Sequence, residues 1–112
     1  MIEVRDPSWY VPEVTELLAR RRVALCLHDM PGSATGRART PLGGAPFVYV
    51  RFHGAGTKYG GGYPRAHLAR WARWLADRAE EGLDVHAYFN NDLGGHAPRD
   101  AVTLRELVAS RL

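Results

Sequence analysis

The run FVYVRFH, Phe47–His53, constrains this chain more than any other stretch. Read as a strand, it puts Val48, Val50 and Phe52 on one face and Tyr49, Arg51 and His53 on the other. One face is apolar throughout and must be packed against something. The other gathers ionisable groups toward the C-terminal end. Three more runs divide the same way. In IEVR (2–5), Ile2 and Val4 oppose Glu3 and Arg5. In VALCLH (23–28), Val23, Leu25 and Leu27 oppose Ala24, Cys26 and His28. In LDVHAYFNND (83–92), Val85, Ala87 and Phe89 oppose His86, Tyr88 and Asn90.

Helical periodicity fills the intervals. Pro12 suits a first helical position, with Val14, Leu17 and Leu18 on one face before Arg20-Arg21-Arg22. After Pro64, Leu68, Trp71, Ala72, Leu75 and Ala79 keep the i, i+3, i+4 spacing, and Gly82 supplies a stop. A last helix is expected to open at Pro98, with Ala101, Leu104, Leu107 and Val108 inward. About four parallel strands alternating with three helices make an α/β chain of βαβ units. An open doubly wound sheet has helices on both faces and little use for the polar set. A barrel lumen does use it, because inward side chains at the C-terminal strand ends form the site. The expected fold is therefore part of a (β/α)8 TIM-type barrel, and 112 residues is about half of the roughly 250 typical of one.

Composition narrows the classes. At 112 residues the chain is a single, partial domain (1–112), and 46% hydrophobic with 24% charged residues is ordinary for a globular protein. The charge of +3 invites an anionic partner, but 14 of the 15 basic residues are scattered arginines. The Arg20–Arg22 cluster complements a helix C-terminus, so nucleic acid is a secondary reading. Cys26, the sole cysteine, sits in an apolar run and is expected to be a buried, inert thiol; a reducing, cytoplasmic home follows. MIEVRDPSW carries charges and no apolar h-region, so no signal peptide is expected, and no apolar run approaches the roughly 18–20 residues of a membrane span.

Residues 54–62 hold five glycines but match neither the dinucleotide fingerprint nor a P-loop. They read as a strand-to-helix connection with Lys58 beside Arg51, suited to an anion or phosphate, or as a merely permissive loop with Tyr59 and Tyr63 as lid contacts. Arg51 needs a carboxylate or an anion once inward, and Glu3 or Asp29 is the expected partner. His53 ends its strand as a candidate general acid or base, or as a structural histidine. His28, Asp29, His53 and Asn90 lack tight metal-ligand spacing, so no metal site is assigned. Trp9 is expected either to stack on a ligand or to cover the core, and Asn90 and Asn91 to bind a ligand or cap a turn. His67 and His96 are expected in solvent. No cofactor is indicated.

EVRDPSW, LHDMP, YVRFHG and YFNND, in that order, resemble the YecE-like family, domain of unknown function 72. The likeness runs over essentially the whole chain and corresponds to the C-terminal half of that family's domain, its last four strands. It implies a TIM-type barrel with no established activity, and it singles out Glu3, Arg5, Ser8, Trp9, Asp29, Arg51, His53, Asn90 and Asn91. Asp100 stands where the family tends to have asparagine, and the N-terminal half is absent. The resulting expectation is a small anionic or phosphorylated ligand at the strand ends, with catalysis by His53 and Asp29. Glu3, Arg5, Trp9, Arg51, Lys58, Asn90 and Asn91 would bind that ligand. The open edges call for a second copy or a separate N-terminal half. The alternatives are a non-catalytic module binding nucleic acid or protein, and an inactive truncated remnant.

Overall fold

The computed structural model describes residues 1–31, 45–56 and 60–112. Its elements run, after a 3-10 turn at Pro7–Trp9, as α1 (Pro12–Arg20), β1 (Leu27–Asp29), β2 (Phe47–Phe52), α2 (Arg65–Glu80), β3 (Asp84–Phe89) and α3 (His96–Ala109). The strands form one parallel sheet in the order β1-β2-β3, with Leu27 opposite Val50, and Val50 opposite Ala87. Among the described residues this is an α/β arrangement of three parallel strands and three α-helices.

The expected first strand is reduced to a single bridge, Ile2 against Leu25. Ile2 donates to Ala24 O at 2.9 Å and accepts from Cys26 N–H at 2.7 Å. Two residues on, side chains take over, for the Val4 carbonyl accepts from the Tyr10 hydroxyl at 2.9 Å and meets His28 Nε2 at 3.2 Å. A carbonyl taken up in this way has little left to offer a ladder.

The apolar parity of β2 behaves as its periodicity dictates, whereas Ile2 on the same parity of the first run is exposed. Val48, Val50 and Phe52 are buried together with Leu68, Trp71, Ala72 and Leu75 of α2. Phe52 stacks on Phe89 with centroids 4.4 Å apart and meets Trp71 edge-on at 5.3 Å. On α2, Ala76 is buried, whereas Ala79 is only half-buried. The last helix opens at His96, two residues before the expected Pro98. That costs nothing, since a proline in the first turn lacks only an N–H that would have no intrahelical partner. Leu104 is buried in α3 and Leu107 and Val108 half-buried, but Ala101 faces solvent. Gly82 ends α2 with φ of +91°, a conformation glycine adopts without strain. Among the described residues, no helix is long and apolar enough to cross a membrane.

Candidate functional site

Strand parity sends the polar residues to two different sides of the sheet, and each side collects its own network. On the side away from α2, the front, Glu3 reaches over β1 to β2. Its Oε1 accepts from Arg51 Nη1 at 2.8 Å, and its Oε2 accepts from Arg5 Nη2 at 3.3 Å. His53 Nε2 stands 3.7 Å from the same Oε2. Asn90, just past β3, donates from Nδ2 to His53 Nδ1 at 3.2 Å. The main chain holds these strand ends in place, because His53 N–H donates to Asp29 O and Asn90 N–H to Phe52 O, continuing the ladders.

Among the described residues of this front cluster, two arginines share one carboxylate, which leaves one positive charge in excess there. Burial alone would raise the Glu3 carboxyl, but the Arg51 and Arg5 charges outweigh it and hold it below its ordinary value. His53 is fully buried, and burial, reinforced by Arg5, pushes its imidazole toward the neutral form. His28 behaves the same way by burial; its ring lies 6.3 Å from that of His53 and its Nε2 is 3.4 Å from the Tyr10 hydroxyl. Cys26 is sealed beneath them, its thiol pushed up to about 12 by burial. It is the inert thiol expected. Among the described residues, no cluster of three or more His, Cys, Asp or Glu side chains is arranged to hold a metal ion.

On the helix side, the back, Asp29 is the centre. Its Oδ2 accepts from Trp71 Nε1 at 2.6 Å and lies 2.7 Å from His67 Nε2, and its Oδ1 accepts from the Tyr63 hydroxyl at 3.3 Å. The Tyr63 hydroxyl in turn accepts from Gly54 N–H at 2.8 Å. A second carboxylate, Asp100, accepts from Tyr63 N–H at 3.0 Å and from Asn91 Nδ2 at 2.7 Å; Asn91 also donates to Gly61 O. These contacts clamp the start of α2 and the segment before it onto the strand ends.

The expected site residues therefore separate. Glu3, Arg5, Arg51, His53 and Asn90 come together at the front. Asp29 does not join them, because it shares its parity with Leu27 and turns to the back, so the partner of Arg51 is Glu3. Asn91 is buried at the back, away from its neighbour Asn90. Trp9 is half-exposed in the 3-10 turn and covers no core. Lys58 and Tyr59 lie outside the described residues. Three expectations about neighbouring residues are corrected. His67 is not a solvated histidine but a partner of Asp29, and Tyr63 is a buried strut and no lid contact. His96 is half-buried, its ring packed so closely over Gly62 that a Cβ there would sit 2.9 Å from Nδ1. Tyr10, not singled out in the sequence, joins His28 at the front; nothing in its 3-10 neighbourhood signals that.

The family model described as protein of unknown function DUF72 matches residues 1–112. The chain belongs to the DUF72 family. Two solved structures of the family share its fold. A DUF72 protein from Enterococcus faecalis V583 superposes with a TM-score of 0.74 at 20% identity, covering 96% of this chain and 46% of its own. One from Thermotoga maritima MSB8 gives 0.76 at 19% identity, over 94% of this chain and 44% of its own. This DUF72 chain thus spans less than half the length of either solved relative. No curated protein matches it.

Proposed function

We propose that this DUF72 chain is one half of a (β/α)8-type barrel whose front face is the lumen, and that it binds a small anionic or phosphorylated ligand at the C-terminal strand ends. The observation that carries the reading is the convergence of Glu3, Arg5, Arg51, His53 and Asn90 at those ends. Side chains from alternate strand positions meet in the layers of such a barrel. The meeting of Glu3 and Arg51 across the intervening β1 supports that reading. The excess guanidinium charge favours an anion, and a half-buried arginine positioned by a carboxylate is preorganised to hold one. Lys58, in the glycine-rich segment after β2, would add a second cation.

The same reading requires the front face to be covered, either by the half of the fold that this chain does not span or by a second copy. Asp29 and Asn91 are assigned to scaffolding, since the Asp29 carboxylate and the Asn91 amide nitrogen are bonded at the back of the sheet.

Thermal-shift titration with inorganic phosphate, sugar phosphates and nucleotides tests the ligand. A rise in Tm that Arg51→Ala abolishes is the expected result. A flat response across the panel removes the proposal.

A further inference from the structure

Asn90 and His53 carry one step beyond the binding reading. The Asn90 amide nitrogen has only hydrogens to offer, so the atom it meets, His53 Nδ1, must be the acceptor. An imidazole whose Nδ1 lone pair is used in this way carries its proton on Nε2, and Nε2 is the atom turned toward Glu3 Oε2. Doubly protonating the ring would set two donors against each other at the Asn90 contact. Burial, Arg5, Arg51 and His28 all oppose a positive charge on the ring, and among the described groups Glu3 favours it.

We propose that Asn90 is a positioning residue that fixes His53 as the neutral Nε2–H tautomer, so that the imidazole serves the site as a hydrogen-bond donor to an anionic oxygen and not as a proton-abstracting base. The tautomer follows from the Asn90 contact alone, and its use toward a ligand rests on the anion reading above. A neutral imidazole held in this way polarises or anchors an oxygen without giving up its proton, because loss of that proton would leave an imidazolate. Arg51 donates to Glu3 Oε1 and the His53 N–H faces Glu3 Oε2, so the two donors flank that carboxylate. A ligand carboxylate or phosphate that takes the place of the Glu3 carboxylate would meet both.

Long-range 1H–15N correlation of the imidazole nitrogens in the 15N-labelled chain tests this, with His53→Gln assigning the signals. Near pH 7 the wild type is expected to show an unprotonated Nδ1 and a protonated Nε2; a hydrogen bond of ordinary strength biases the tautomers by about tenfold. A protonated Nδ1 overturns the proposal. In Asn90→Asp the carboxylate accepts, so the proton should move to Nδ1. Asn90→Leu, which offers no donor, should leave a mixture and gives the same information if the aspartate variant does not fold. An unchanged tautomer in either variant removes Asn90 from the role. Titration with inorganic phosphate completes the test and should shift the Nε2–H proton of the wild type. If the tautomer is as expected and phosphate raises the Tm but leaves that proton unmoved, the donor role falls and the anion reading stands; if the whole panel leaves the Tm flat, the anion reading falls while the Asn90 contact stands.

Discussion

Glu3 shows how few residues set the electrostatics of the front. Its carboxylate is shared by Arg51 and Arg5 and lies 3.7 Å from His53. Removing its charge in Glu3→Gln leaves two half-exposed guanidinium groups facing each other. We expect a loss of about 1–2 kcal/mol in urea unfolding, between the values for exposed and buried pairs. Protonation has a defined sign at this site. His28 and His53 are held below the ordinary value of 6.5, so the unfolded chain binds protons that the folded one refuses. Stability is then full above about pH 6.5 and falls as the pH drops through that value. Glu3, held below its ordinary 4.5, adds stability that is present above that pH and lost beneath it. Urea midpoints measured from about pH 8 down to about pH 3 should therefore decline in two stages. A profile that is flat through the histidine range would contradict the buried, neutral imidazoles.

Among the elements, α2 depends most on specific contacts. Its Trp71 is fully buried against Phe52 and donates to Asp29 at 2.6 Å. Trp71→Ala removes a large core ring and is expected to cost about 3–5 kcal/mol. Asp29→Asn keeps the shape but turns an acceptor for three donors into an amide, and about 2–3 kcal/mol should be lost. Gly82→Ala forces a side chain into φ of +91° and should cost about 1 kcal/mol. Circular dichroism in urea checks all three. The elements themselves were largely legible, since the period of two in β2 and the 3.6 spacing in α2 name their buried faces. The two sides of the strand ends were not read correctly. Leu27 and Asp29 share a parity, yet the apolar run stops at His28, which hides that Asp29 continues the buried face. The strut from Gly54 through Tyr63 to Asp29 leaves no mark in sequence, because it depends on where a phenol ring lands 34 residues away.

The whole molecule is a thin slab, 17 Å in its shortest dimension against 39 and 32 Å in the others. Its front carries a row of rings, with Tyr49 stacked on Tyr88 at 5.1 Å and on His86 at 6.3 Å, and Tyr88 half-exposed. At the β3 edge, Val85, Ala87, Phe89, Leu104 and Val108 line an apolar hollow of about 460 Å³. Under the half-barrel proposal, both features await the strands that continue the sheet. Light scattering on the eluted chain should then give a mass above the 12.5 kDa of one copy, or a complex when the other half of the fold is supplied. Val85→Lys, which puts a charge in the hollow, should return it to a single copy. A well-folded chain of 12.5 kDa that ignores both partners would count against this assembly. Pairings such as Glu3 with Arg51 belong to this scale too. Parity put both residues on one face, but only the stacking order of the strands brings them together across β1.

The Trp71 indole proton has one more consequence. It is fully buried and bonded to the Asp29 carboxylate, so its exchange requires α2 to lift from the sheet. Its deuterium-exchange rate is therefore a counter of those openings. Loosening the clamp at His67 should make that counter run faster without touching the front of the molecule.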